Sequence, residues 1–292
     1  MSETGTAIGF IGLGVMGEPM CRNLALKSAR PVIGFDQNVE ALTRLADSGV
    51  TVAASLQTLA RQCDTIFLAL PSGRHVEAVS AGLLAEVRPG TLIVDCGTSP
   101  VELTRTLAAT FGERGVDYAD APIARTRQAA INGTLSIMVG ADDAVFTALK
   151  PVLALMASDV THCGPVGCGQ IAKIMNNMVL VQTVVALSEA ASIARRAGLP
   201  TDKLFEVLAK GSADSFALRN HGMKAILPGV FPERAFSTSY ARKDLSYALE
   251  LAEAVGVTVA GAKNADDVLA AAQDAGYADL YWPVISRVVD GG

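Results

Sequence analysis

The sequence predicts an α/β fold: a doubly wound, mainly parallel sheet in the N-terminal half, followed by an all-helical C-terminal half. Three observations predict it. Short apolar runs recur through the first half, a glycine-rich turn follows the first run, and long helix-like stretches replace strands after residue 164.

The apolar runs begin at residues 8 (IGFI), 32 (VIGF), 65 (TIFLAL) and 91 (TLIV), so successive starts lie 24, 33 and 26 residues apart, the length of a βα unit. Their apolar character is continuous rather than alternating, as in strands covered on both faces. Further strands are expected at 117–119, 135–139 and 159–162, where shorter helices imply mixed pairing, and the connection 122–133 reads as a loop. From 169 to 197 no Pro or Gly interrupts the chain after its first residue, which predicts a helix about 44 Å long. Gly198-Leu199-Pro200 ends it. Helices are expected at 201–210, 241–255 and 264–273. The reading is a domain over 1–163 and a helical domain over 164–292.

Composition restricts the function classes. The 292 residues are 50% hydrophobic and 18% charged, so the chain folds. With mean hydropathy +0.36, net charge −5 and no run of three basic residues, a nucleic acid is not an expected partner. The longest apolar stretch, 178–187, is ten residues and is broken by Gln182 and Thr183, against about 20 needed to span a bilayer, so no membrane is expected either. The N-terminus carries Glu3 where an export signal needs positive charge. Five scattered cysteines without a CxxC fit buried, reduced thiols, and cytoplasmic residence is expected. His162, Cys163 and Cys168 lack a fourth ligand and metal-type spacing, so no metal is expected.

The first strand runs into Gly12-Leu13-Gly14-Val15-Met16-Gly17 and then a helix. In a Rossmann dinucleotide site the first glycine permits the tight turn, the second lets backbone approach a pyrophosphate, and the third lets helix pack on sheet. Asp36 ends the second strand 19 residues after Gly17, where a carboxylate accepts from ribose hydroxyls and repels a 2′-phosphate. NAD is therefore expected over NADP. The other role open to Asp36 is capping the next helix. On the long helix, Gln170, Lys173 and Asn177 share one face among apolar residues and need polar partners, unless Lys173 only snorkels to water.

Four motifs in order, the glycine turn with Met16 and Met20, Asp120-Ala-Pro-Ile123 running to Gly133-Thr-Leu135, Gly169-Gln-Ile-Ala-Lys173-Ile-Met-Asn-Asn177, and Lys243-Asp-Leu245, resemble the β-hydroxyacid dehydrogenases over the full chain. The resemblance implies a Rossmann domain, a helical substrate and oligomerisation domain, an active site in the cleft between them, and a homodimer or homotetramer. It implies Lys173 as catalytic acid/base, Asn177 as substrate holder, Lys243 near the cofactor, Thr98 near the nicotinamide, and Leu70-Pro71 in a loop covering the cofactor. The reaction implied is interconversion of a primary alcohol and an aldehyde on a short acid of the 3-hydroxyisobutyrate, tartronate semialdehyde or sulfolactaldehyde type. An imine reductase on the same fold and a non-catalytic dinucleotide sensor are the rivals; imine reductases generally lack the lysine, and a sensor has no need of the Lys173/Asn177 face.

One departure stands out. Where most members read Ser-Gly-Gly, this chain reads Ala124-Arg125-Thr126, resembling the Arg-Thr pair of sulfolactaldehyde reductases. A guanidinium there suits a sulfonate or second acidic group. Otherwise Arg125 turns to solvent or pairs with Asp120, and Arg127 binds the anion.

Overall fold

The computed structural model describes residues 7–233 and 235–291. Its contacts divide the chain into two units, between Lys173 and Ile174.

The first unit carries a nine-stranded sheet: β1 (Ala7–Ile11), β2 (Val32–Phe35), β3 (Thr51–Val52), β4 (Cys63–Leu68), β5 (Leu92–Asp95), β6 (Asp117–Asp120), β7 (Ile123–Ala124), β8 (Leu135–Gly140) and β9 (Ala157–Gly164). The strand order is β3-β2-β1-β4-β5-β6-β8-β7, with β9 paired to β8. Pairing is parallel from β3 through β6, antiparallel at β6·β8 and β7·β8, and parallel again at β8·β9. The order reverses at β1, which lies between β2 and β4. Ile8, Phe10, Phe67 and Val94 join one core cluster, whereas Ile11, Ile66, Leu68 and Ile93 join another. The continuous apolar strands thus bury both faces, as their composition requires.

The helices of this unit are α1 (Gly17–Lys27), α2 (Val39–Thr43), α3 (Leu56–Gln62), α4 (Gly73–Leu84), α5 (Val101–Gly112), α6 (Arg127–Asn132), α7 (Asp143–Leu153) and the first turn of α8 (Cys168–Arg196). Two readings need correction. The connection expected as a loop over 122–133 contains β7 and α6; α6 is capped by Thr126 and closed by Gly133 at φ +68°, signals too closely spaced to suggest a helix. The short edge strand β3 has no apolar run to announce it, since both its residues are exposed.

The second unit holds the rest of α8, then α9 (Thr201–Leu208), a π-helical segment (Leu218–Ile226), α10 (Thr238–Ala254), α11 (Ala260–Ala272) and α12 (Ile285–Val289). Two isolated bridges are its only β pairings among the described residues. The division at 173/174 falls ten residues beyond the boundary read from sequence, because the first turn of α8 is hydrogen-bonded to the sheet unit, as described below. By length and composition α8 could cross a membrane, with mean hydropathy 1.4 over its best 18-residue window. Counting only uninterrupted apolar runs missed this. Ile174, Val181, Val184, Val185 and Ala191 are buried within the protein, while Val179 and Ile193 are more than half exposed. The helix is therefore buried on one face and not throughout.

Candidate active site

The sheet brings the expected dinucleotide residues to the C-terminal ends of β1, β2, β4 and β5, where the strand order reverses and open α/β sheets bind ligands. Gly12 has φ +91°, and a Cβ there would strike the Ala69 carbonyl; a Cβ at Gly17 would strike the Gly12 carbonyl. Both are needed to close the turn. Gly14 differs, for a Cβ added there meets nothing within 4 Å. That open backbone lies just ahead of α1, at the position the sequence reading assigns to the approach of a pyrophosphate. Val15 is exposed and Met16 half-buried beside it.

Asp36 locks this turn. Its carboxylate accepts the Leu13 N–H (2.5 Å) and the Asn38 N–H (2.7 Å). It does not cap α2, because Asn38 does, accepting the Glu40 N–H at 3.0 Å. Leu70 and Pro71 leave β4 close by, and a Cβ on Gly97 would come within 3.0 Å of the Leu70 carbonyl. Half-buried Thr98 sits between two residues pinned by buried Asp95, which accepts the Gly97 N–H and the Ser99 hydroxyl, both at 2.8 Å.

Asp120, quoted in the sequence only as part of a motif, fixes the start of α8. Fully buried at the end of β6, it accepts the Gly167 N–H (2.6 Å) and the Gln170 N–H (2.7 Å). Burial pushes its carboxyl up to about 6, against the pull of those backbone donors. Cβ atoms at Gly140 and Gly169 would collide with this carboxylate, which explains the glycine that opens the helix motif. The Gln170 side chain donates to the Gly97 carbonyl (2.9 Å) and accepts the Ser99 N–H (3.1 Å). The first turn of α8 is thus tied on both sides of Thr98, and half-buried Lys173 follows three residues later.

In the second unit, buried Asn177 donates from its amide to Asp244 Oδ2 at 2.6 Å. Lys243 Nζ lies 2.9 Å from Asp244 Oδ1, an ion pair without hydrogen-bond geometry, and stands over the rings of Tyr240 and Tyr247 at 5.3 and 5.4 Å. Asp244 joins two residues that the sequence identified separately. Its neighbour in the Lys243-Asp-Leu245 motif was the available signal. Lys173 and Asn177 lie four residues apart along α8, one turn, on the same face.

In the departure segment Arg125 pairs with Asp159 and not with Asp120. Ala124 ends β7, Arg125 has φ +85°, and the Thr126 side chain accepts the Ala129 N–H at the start of α6. The Arg125 guanidinium does not reach Asp120, whose two carboxylate oxygens are already bonded. It donates to the Thr134 carbonyl and Ser158 hydroxyl, both 2.7 Å, and to Asp159 Oδ2 at 2.6 Å. These three bonds are to the chain's own groups, and the guanidinium keeps an exposed side. Among the described residues no three His, Cys, Asp or Glu side chains gather as a metal site.

Residues 7–164 match the family model described as the NAD binding domain of 6-phosphogluconate dehydrogenase, and residues 167–282 the NAD-binding model of NADP-dependent 3-hydroxyisobutyrate dehydrogenase. The chain is 37% identical to 2-(hydroxymethyl)glutarate dehydrogenase of Eubacterium barkeri, over 85% of this chain and 83% of that one. It is 32% identical to the NAD-dependent L-serine dehydrogenase of Pseudomonas aeruginosa, over 97% of each. Its fold is similar to the Mycobacterium tuberculosis 3-hydroxyisobutyrate dehydrogenase solved with L-serine, with TM-score 0.90, 33% identity and coverage of 97% and 99%.

Proposed function

The chain belongs to the β-hydroxyacid dehydrogenase family, NAD-dependent oxidoreductases acting on CH–OH groups, and we propose that it interconverts a primary alcohol and an aldehyde on a short, anionic hydroxyacid. The observation that carries the proposal is Lys173 held one turn beyond the Asp120- and Gln170-anchored start of α8, with Asn177 one turn further on the same face.

Gly12, Leu13, Gly14, Val15, Met16 and Gly17, with Asp36, Leu70, Pro71, Thr98 and Lys243, form the set that would hold NAD; the open approach at Gly14 and the carboxylate at Asp36 fit it. When bound, the nicotinamide supplies hydride transfer. Lys173 does the proton work, donating from its ammonium to the carbonyl oxygen during reduction and accepting from the hydroxyl during oxidation. Asn177 holds the same end of the substrate, its amide fixed by Asp244. Residues 124–126 lie along the substrate anion. In this reading 1–163 serves NAD and 164–292 substrate and assembly, in a soluble cytoplasmic homodimer or homotetramer that covers the exposed apolar side of α8. Light scattering is expected to give a mass at least twice 30.2 kDa; a monomer overturns the assembly.

The substrate class is tested by a panel with NAD(H) and NADP(H): 3-hydroxyisobutyrate, tartronate semialdehyde, sulfolactaldehyde, L-serine and 2-(hydroxymethyl)glutarate. At least one of these three- to six-carbon acids is expected to turn over, with kcat/KM higher for NAD(H). A clear NADP(H) preference overturns the reading of Asp36. NADH binding without turnover of any hydroxyacid or aldehyde leaves the sensor reading instead.

A further inference from the structure

Arg125, at φ +85°, is the only non-glycine residue with positive φ among those described. Such backbone is disfavoured for a side chain bearing Cβ and persists only where neighbours hold it. The holding groups are visible. Ala124 pairs with Ser136 on β8, and Ser136 pairs with Asp159 on β9, so the guanidinium crosses β8 to reach its acceptors. Two strand spacings, about 9.6 Å, are covered by the arginine side chain together with the Asp159 side chain that meets it. It bonds there to a main-chain carbonyl entering β8, a hydroxyl and a carboxylate. Ser158 also donates to Asp159 at 2.8 Å. The Ser158 hydroxyl and then the Arg125 guanidinium hold the Asp159 carboxyl below the usual carboxylate range, so it stays charged at neutral pH.

We propose that Arg125 is a positioning residue, its side chain clamping three strands together so that the backbone of 124–126 keeps the conformation a glycine would give, and that its guanidinium is not the ligand of the substrate anion. An exposed ion pair alone contributes little. Here the pair is one of three bonds acting on a strained backbone, and its loss is expressed in the placement of the segment. The proposal rests on the reading of 124–126 as the substrate segment.

The test removes the acceptor instead of the arginine. Asp159→Ala is expected to raise KM for the anionic substrate about five-fold with kcat changed less than two-fold. Adding Arg125→Gly to that background is expected to bring KM back to within two-fold of wild type, because glycine takes positive φ without a clamp. Trypsin gives a readout free of substrate: cleavage after Arg125 in the folded protein should quicken several-fold in Asp159→Ala. A wild-type KM and an unchanged cleavage rate in Asp159→Ala overturn the clamp. So does a double variant whose KM stays at or above that of Asp159→Ala, which makes the guanidinium a substrate ligand. If wild type turns over no substrate in the panel, the functional reading fails while the trypsin comparison still decides the clamp.

Discussion

Lys173→Ala is expected to lower kcat by about 10²- to 10⁴-fold, the range a positioned acid/base supplies, while NADH affinity measured by fluorescence stays within about two-fold. The two readouts separate because the residues proposed to hold the cofactor sit on the turns after β1, β2, β4 and β5, with Lys243 on α10, whereas Lys173 sits on α8. Removing its side chain leaves the bonds of Asp120 and Gln170 to the helix start intact, since none of them involves Lys173. Lys173→Arg sharpens the test. Arginine keeps the positive charge but does not give up its proton in the neutral range, so oxidation of the alcohol, which needs a proton acceptor, should stay nearly as slow as in the alanine variant. A near-normal kcat in either variant overturns the proposed proton transfer.

The residues that proved legible in the sequence are those whose constraint is local. Gly12 and Gly17 answer to atoms of their own turn and of the adjoining strand end, and the apolar runs of β1, β2, β4 and β5 follow from burial on both faces. The span of α8 was visible within one residue at each end because nothing along 169–197 breaks a helix and Gly198 stops it. What escaped depends on long-range partners. Asp120 meets Gly167 and Gln170 across 47 and 50 residues, and Arg125 meets Asp159 across 34. No periodicity carries such pairings. The expected polar partners of Gln170 and Asn177 did follow from sequence in kind, since a buried amide must be bonded, but not in identity: one took main-chain groups around Thr98, the other a carboxylate on α10.

Acidification should reduce turnover before it unfolds the sheet unit. Asp120 has a folded value of about 6, raised by burial above the ordinary 3.8. Below pH 6 its carboxyl gains a proton and the Gly167 and Gln170 amides lose a charge-assisted acceptor, which loosens the turn that places Lys173. We expect kcat/KM to fall as pH drops through about 6. Stability moves the other way. A folded value above the unfolded one means that the native state binds the extra proton between about 4 and 6, so this group's contribution is complete below 3.8 and is lost as pH rises through 6. Acid loss of activity in this window therefore is not explained by Asp120 unfolding its own unit. In the second unit His221 has the opposite sign: burial lowers it to about 4, and its contribution, present above 6.5, is lost as pH falls through 4. Asp120→Asn distinguishes these effects. It cannot titrate, and its amide faces one backbone donor with another donor, a mismatch of about 1 to 3 kcal/mol, so kcat/KM should be roughly 5- to 150-fold lower at pH 8 with no further decline at 6. Calorimetry of the wild type at pH 7 and 5.5 should show both units still folded at the assay temperature. A variant that keeps the wild-type acid limb places the titrating group elsewhere and removes Asp120 from the positioning of Lys173.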